Sequence, residues 1–554
     1  MLAWLKHYRR ELLAGDIGAG IIVAMMLIPQ GMAYAMVAGL PPVTGLYASI
    51  LPPIAYALFG SSMVQSVGPM AITSLMIGTA LAPLAPSGSA LSVLLAGQMA
   101  LIAGAMLFLS GLLRLGFVAS LLSQPVMSGF TTGAALLIAS GQIEALLGGA
   151  LAAIHRPSAV IGLSSLLALW LAKRYLVRGL AALGMAGRLA DTLSRLAPVA
   201  VLVVATATVA AFALAPAGVK VVGEIPAGMP AIALAVSAEH WRPLLFPSLL
   251  IAFMIFLSSQ AAAQSLAHRR GERIITNHEL LGLGAANVAA ALSGGFAVTG
   301  SISRSAVNFS AGANTPLASV ISAGLIVLAL SVPTTWVSLL PLPALAATII
   351  LAVLGMIDST TLKDAWRYDR SDAGALLATT AGVLLLGIEQ GVILGVVLSL
   401  ATVIWRASRP HIAVIGRIPG SEHFRNIERH QVETLPEVLI VRVDADLFFG
   451  NVDAVVNHLD QLLKSRAADG LPTRHVVLVM SAVSLIDTTG LYALGEINRS
   501  LGKDQIKLHL AEVKGPVMDR LQRSDLVNRQ LSGRVFLSTA DAFRCLDDEH
   551  SPTT

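Results

Sequence analysis

The chain has 554 residues, of which 55% are hydrophobic and 12% charged, with a mean hydropathy of +0.76. That balance excludes an ordinary soluble protein and a disordered one. The formal net charge of +5 falls in clusters between apolar runs, so it reports membrane topology and gives no footing to a nucleic-acid partner.

Residues 1–15 read as a cytoplasmic amphipathic N-terminus. Met1–Glu11 is basic and lacks a small-residue cleavage site before the first apolar run, so no cleavable signal is expected. From Asp16 to Trp405 the chain is a series of membrane-length segments. A span needs about 20 apolar residues, which leaves room for roughly twelve to fourteen here. No barrel-like alternation appears, so the spans are expected to be helices. They are expected at 17–36, 43–60, 64–83, 92–113, 117–147, 158–174, 197–216, 243–266, 278–294, 303–316, 318–333, 341–357, 373–388 and 390–406. Basic clusters fall at Lys6–Arg10, Lys173–Arg195, His268–Arg273, Lys363–Arg370 and Arg406–Arg417. The positive-inside rule places all of them in the cytoplasm, with both termini inside and the protein in the inner (plasma) membrane.

Two spans are interrupted. The first break is Ser66-Val67-Gly68-Pro69-Met70-Ala71, leading into Ile72–Leu84. The second is Val298–Asn308, rich in glycine and hydroxyl residues and carrying Arg304. A bare cation at membrane depth costs about 2.5–3.5 kcal/mol on insertion scales, and no acid lies near Arg304 in sequence. An anion that comes and goes is a natural partner. A structural strut bonded to backbone carbonyls is the other reading. Paired short spans with glycine or proline interruptions, one in each half, point to the binding site of an inverted-repeat transporter.

Residues 407–432 read as a linker and 433–554 as a soluble domain. Val438–Val443 and His475–Met480 read as buried strands, with a helical face of Val452, Val455, Val456, Leu459, Leu462 and Leu463 between them. Ile486-Asp487-Thr488-Thr489-Gly490 is a capped entry into helix Leu491–Leu501. Strand Lys507–Val513, helix Pro516–Arg523, strand Val535–Ser538 and helix Ala540–Leu546 complete an α/β fold. The single cysteine, Cys545, rules out an internal disulfide. Gly282, Gly284, Gly294 and Gly295 lack a following Gly-Lys-Ser/Thr, so close helix packing is their better account than phosphate binding. Glu144 and Glu389 sit where spans end, which favours interfacial or turn positions over a proton relay. No His/Cys/carboxylate cluster has metal spacing and no nucleophile–base set appears, so no cofactor and no enzyme chemistry are expected.

Pro29-Gln30-Gly31-Met32-Ala33-Tyr34-Ala35, Ala38-Gly39-Leu40-Pro41-Pro42, Gly45-Leu46-Tyr47-Ala48 and Leu58-Phe59-Gly60-Ser61-Ser62 resemble the opening signature of SulP anion transporters. That family includes sulfate permeases, pendrin and prestin. Val67-Gly68-Pro69, Gln124–Phe130, Asn277–Gly284 and Ser303-Arg304 extend the resemblance. The tail resembles the STAS domain that closes such chains, with Asp487-Thr488-Thr489-Gly490 in its loop. The resemblance implies a seven-plus-seven inverted repeat of about 14 transmembrane segments. It also implies a core domain moving like an elevator against a gate domain, a homodimer, and a cytoplasmic STAS domain. It implies a small-anion site with Gln30 and Tyr34 from the first span, Met70 and the backbone of Ala71 from the third, and Ser303 and Arg304 from the tenth. Many relatives carry an aromatic where Met70 stands.

Read on their own, Gln30 has an alternative role in repairing backbone freed by Pro29, and Tyr34 one in core packing. The resemblance also locates a cation-coupling carboxylate in the eighth span. Aligned on Ala263–Ala267, that position holds Ser258, followed by Ser259 and Gln260, while Gln264 stands where relatives often have lysine. Exchange or uncoupled anion transport is therefore expected over symport. Ser258 and Ser259 remain candidate ligands through neutral oxygens. Thr488 and Thr489 are candidate phosphate acceptors, against simple helix capping by Asp487. A nucleobase permease, or an anion sensor signalling through STAS to a cytoplasmic partner, are the other classes considered.

Overall fold

The computed structural model describes residues 3–6, 8–117, 123–150, 152–182, 184, 190, 194, 196–223, 228, 232, 237–331 and 338–548. The expected span from 117, the basic cluster Lys173–Arg195 and the joint 217–242 lie partly outside them. The chain divides into two compact units, Met1–Ser399 and Leu400–Thr554.

The first unit is helical. In chain order its main elements are α1 (Leu13–Val37), α2 (Pro42–Tyr47), α3 (Leu51–Phe59), β1 (Val67–Gly68), α4 (Ala71–Leu81), α5 (Ala90–Leu112), α6 (Gln124–Gly141), α7 (Arg156–Leu171) and α8 (Ala197–Ala211). There follow α9 (Trp241–Arg270), α10 (Thr276–Leu292), β2 (Thr299–Gly300), α11 (Ile302–Ser310), α12 (Leu317–Ser331), α13 (Leu342–Leu354), α14 (Ser359–Tyr368), α15 (Arg370–Leu386) and α16 (Ile388–Ala407), the last with its residues from Leu400 in the second unit. Among the described residues eight helices are long and apolar enough to cross a membrane, and α4, α8 and α12 are shorter apolar helices.

Several expected spans are discontinuous. The stretch expected as one span at 43–60 is split between α2 and α3, and α3 starts with Pro52 and Pro53 in its first turn. Proline fits the first turn of a helix and stops the one before it. The span expected at 64–83 is helical only over α4, and that expected at 303–316 only over α11. Beyond α7, the π-turn Ala172–Leu176 carries the helix past its expected end at 174.

The helices form two packed groups. In one, α10 lies against α5 and α3, α12 against α1, and α9 against α5 and α11. In the other, α6 packs on α15 and α13 on α7. Glycines set the close crossings of the first group. A Cβ at Gly284 would come 2.5 Å from Phe108 N, and one at Gly282 would come 2.7 Å from Gly60 Cα. This is the small-residue packing of membrane helices rather than a phosphate loop.

Two fully buried carboxylates stitch that group together. Asp16 Oδ1, at the start of α1, accepts the N–H groups of Asn314 (2.7 Å) and Thr315 (3.0 Å), and Oδ2 accepts the Thr315 hydroxyl (2.7 Å). Glu279 Oε1, in the first turn of α10, accepts the Ser61 N–H and hydroxyl at 2.8 and 2.7 Å and the Ser62 N–H at 3.1 Å. Its Oε2 lies 2.6 Å from the Tyr56 hydroxyl. Each acid therefore ties a helix start to a loop far away in sequence and holds otherwise orphaned donors.

The second unit contains a six-stranded sheet in the order β4-β3-β5-β6-β7-β8, with β3 Ile412–Arg417, β4 Phe424–Asn426, β5 Val438–Val443, β6 His475–Val479, β7 Lys507–Ala511 and β8 Val535–Phe536. The strands from β5 to β8 run parallel, while β3 is antiparallel to both β4 and β5. Helices α17 (Val452–Ala468), α18 (Thr488–Lys503), α19 (Gly515–Gln522) and α20 (Thr539–Asp548) alternate with the parallel strands. The β5–β7 region is buried on both faces, as its near-continuous apolar runs require. The stretch 407–432, read from sequence as a linker, carries β3 and β4. Short strands broken by Gly416, Arg417 and Arg425 give too little alternation to stand out.

Candidate anion site

The two interrupted spans meet. β1 and β2 pair antiparallel, with Val67 opposite Gly300 and Gly68 opposite Thr299. Each strand leads directly into a half-helix, α4 or α11, so both helix N-termini start from one two-stranded bridge. The bridge is pinned by Ser301 N–H to Ser66 O at 3.1 Å and by Ser66 N–H to the Ser305 hydroxyl at 2.9 Å. The Gln65 side chain packs so closely on Gly300 that any Cβ there would collide with its amide nitrogen. Gln65 in turn donates to Ser259 O (3.1 Å) and to the Ser259 hydroxyl, and its carbonyl lies 2.8 Å from the Tyr56 hydroxyl. Glu279 thus reaches the bridge through Tyr56 and Gln65.

A cavity of about 530 Å³ lies against both half-helices. Its walls include Gln30 and Tyr34 from α1, Met70 and Ala71 from the start of α4, and Ser301 and Ser303 from the start of α11. Its opposite walls include Thr131, Lys173 and Thr348 from the second helix group. Met70 is the N-cap of α4 and supplies no capping hydrogen bond. The first N–H groups of α4 are therefore not satisfied by a side-chain cap, and the positive end of the helix dipole faces the cavity. α11 is capped by Ser301, whose hydroxyl accepts Arg304 N–H at 3.4 Å and lies 3.2 Å from Ser303 Oγ. The side chains of Gln30 and Tyr34 line the cavity with no hydrogen bond to protein among the described residues.

Arg304 lies behind this lining, 2% exposed. Its Nη1 donates to Pro69 O at 2.7 Å, while Nε and Nη2 have no partner among the described residues. The strut reading of Arg304 thus accounts for one of its donors only. Its guanidinium lies beside Gly68, where a Cβ would come 3.3 Å from Nη2. Ser258 and Ser259 are also outside the lining. Ser258 Oγ bonds to Met254 O at 2.8 Å and lies 2.9 Å from Thr299 Oγ1, and Ser259 serves Gln65.

Three features escaped the sequence reading. Lys173 was absorbed into a topology cluster. Gln65 sits just before the first break, where a buried amide carries no periodic signal. Glu279 falls inside the motif Asn277–Gly284, although a lone acid at the start of an apolar helix is the same kind of signal as Arg304.

In the second unit, Asp487 caps α18. Its Oδ1 accepts Gly490 N–H at 2.7 Å and its Oδ2 accepts Phe449 N–H at 2.9 Å. These donors hold its carboxyl below the usual range. Thr488 and Thr489 are exposed beside it.

Opposed half-helices that face one cavity among apolar spans form the architecture of a multi-pass membrane transporter. The chain belongs to the sulfate permease family, whose model matches residues 13–379, and a STAS domain model matches residues 429–542. A probable sulfate transporter of Mycobacterium tuberculosis is 34% identical over 560 residues, covering 97% of this chain and 96% of that one. The chloroplastic sulfate transporter 4.1 of Arabidopsis thaliana is 34% identical over 569 residues, covering 98% of this chain and 82% of the relative. In fold, the chain is similar to the murine solute carrier 26 family member A9 anion transporter in the inward-facing state. The TM-score is 0.87 at 22% identity, over 99% of this chain and 93% of that one. The protein is an anion transporter of this family, with many apolar helices followed by a STAS domain, and it is not an enzyme.

Proposed function

We propose that the protein is a secondary transporter that moves small inorganic anions, of the sulfate, bicarbonate or chloride class, by elevator-type alternating access. The observation that carries this reading is the pair of half-helix N-termini at one cavity, backed by the buried, half-satisfied Arg304. The anion is held by backbone N–H groups at Ala71 and Ser303, by the Ser303 hydroxyl and by the Gln30 amide, with Tyr34 and Met70 shaping the pocket. Arg304 supplies field from behind. Sulfate is supported within the class by the sulfate transporters at 34% identity. The first helix group, stitched by Asp16 and Glu279, is the moving core, and the second is the gate. The seven-plus-seven repeat, the homodimer, residence in the inner membrane with both termini cytoplasmic, and a cytoplasmic partner for STAS belong to the same proposal.

Transport is exchange or uncoupled. Ser258 carries no charge, and its hydroxyl is engaged by Thr299 and the Met254 carbonyl. Cation-coupled symport is a second reading, favoured by the neutral oxygens that cluster there. The test is anion uptake into proteoliposomes with sodium and pH gradients imposed separately at clamped potential. Uptake that follows the anion gradient alone is expected. Strong acceleration by either cation gradient would replace exchange with symport. Loss of all protein-dependent flux, with binding retained, would instead favour a sensor.

A further inference from the structure

The short helix α14, between the apolar helices α13 and α15, has no part in the anion site. Beside it lies a shallow hollow of about 320 Å³, lined by Leu362, Lys363, Trp366 and Arg367 of α14 and by Leu377 of α15. We propose that this hollow binds the headgroup of an anionic phospholipid of the cytoplasmic leaflet.

The placement of charge around the helix supports this. Ala365 is buried and fixes the inward face of α14. At about 100° per residue, Leu362, Trp366, Lys363 and Arg367 follow one another around the side that borders the hollow. Asp364 falls about 60° beyond Arg367, outside it. The acids at the two helix ends are already occupied. Asp358 accepts the N–H groups of Thr360 (2.9 Å) and Thr361 (3.3 Å) as the N-cap of α14. Asp369 accepts the Ser371 N–H and hydroxyl, both at 2.8 Å, as the N-cap of α15. Lys363 and Arg367 are exposed and pair with no carboxylate among the described residues. Two cations one turn apart present a fork to a phosphate, and arginine suits phosphate geometry.

The hollow also runs on into apolar surface. Leu377 and Leu384 lie seven residues apart on one face of α15 and are 45% and 41% exposed. An acyl chain lying along that stripe leaves its phosphate at Lys363 and Arg367. Trp366 and Tyr368 are exposed at the same level, the position that amphipathic aromatic rings take at a membrane interface. A free anion would gain the charges but not the stripe, which is why a lipid is the occupant.

The test uses full-length protein in phosphatidylcholine vesicles with a trace of spin-labelled phosphatidylglycerol or spin-labelled phosphatidylcholine. The readout is quenching of the part of the tryptophan fluorescence that Trp366→Phe removes. The phosphatidylglycerol label is expected to quench it more strongly. Lys363→Gln with Arg367→Gln should reduce that preference about thirtyfold, at roughly 1 kcal/mol for each basic residue. Either single variant should fall between, and Asp364→Asn should keep the preference. Equal quenching by the two labels, or a preference that survives the double variant, overturns the proposal. Relief of phosphatidylglycerol quenching by millimolar inorganic phosphate also overturns it, because the site would then be one for free anions.

Discussion

The membrane unit and the STAS domain bury polar groups by different rules. The membrane unit buries full charges and sorts them by role. Asp16 and Glu279 are surrounded by donors, whereas Arg304 keeps two donors without an acceptor. The STAS domain buries a histidine pair instead. His475 Nδ1 and His509 Nε2 lie 3.0 Å apart on neighbouring strands, and His509 Nδ1 accepts Arg534 N–H at 3.0 Å. Burial, together with the neighbouring His475, lowers the His509 pKa to about 4, so the imidazole stays neutral. Saturated charges hold a fold, and a charge left partly unsatisfied has capacity to spare for a ligand.

The largest effect that can break this comparison is at Glu279. Glu279→Ala strands two backbone N–H groups and the Ser61 hydroxyl, while Tyr56 keeps the Gln65 side-chain carbonyl as an acceptor. Destabilisation of about 3–5 kcal/mol is expected, read as a lower midpoint of thermal unfolding in detergent. Glu279→Gln keeps one acceptor oxygen and should lose about half as much. If Glu279→Ala is as stable as the parent, the clasp is not structural.

Arg304→Ala is expected to do the opposite. It removes a poorly compensated buried charge, so the unfolding midpoint should change little. Transport should fall about a hundredfold, the scale of losing a full charge's field at a desolvated anion site. Wild-type transport kinetics in well-expressed Arg304→Ala would sink its role. Equal damage to stability and flux at both positions would erase the distinction between clasp and site.

The histidine pair offers a smaller, pH-dependent contrast. A base whose folded pKa is depressed to about 4 stays neutral when the unfolded chain, with an ordinary histidine pKa of about 6.5, takes up a proton. Its contribution is complete above about pH 6.5, declines as the pH falls towards about 4, and changes no further below that. Amide hydrogen exchange of β6 and β7 in the full chain should accelerate over that window, after correction for intrinsic rates. His509→Gln should flatten the dependence. An identical pH profile in the variant would show that other groups govern it.

The legible part of the molecule was the part with strong local signals. Apolar runs marked most of the helices, and glycine and proline marked both breaks. Gln30, Tyr34, Met70, Ala71 and Ser303 line one cavity, while Arg304, Ser258 and Ser259 lie outside its lining. What could not be read is set by long-range pairing. The register of Val67 on Gly300, the approach of Gln65 to Gly300, and the reach of Glu279 to Ser61 each join residues more than 200 positions apart. No periodicity encodes such contacts. Strands β3 and β4 escape the sequence for the complementary reason, since three to six half-buried residues carry little pattern.

Lys173 is the smallest test and the most discriminating for the role of exposed charge. It sits in the π-turn after α7, on the cavity wall opposite the half-helices, and its ammonium lies near the C-terminal end of α13 at Gly355. A cation at a helix C-terminus is favoured by the dipole, so part of its field is already spent there. What remains draws anions towards the cavity from water. An exposed charge of this kind acts on encounter more than on tight binding, and salt screens it. Lys173→Gln should therefore raise KM about two- to fivefold at low ionic strength while leaving kcat close to the parent. Near 1 M salt the Debye length is about 3 Å and the difference should vanish. A loss as deep as that of Arg304→Ala, or one indifferent to salt, would show that Lys173 acts on the bound anion rather than on encounter. The saturated, the half-satisfied and the solvated charge would then no longer fall in the order proposed.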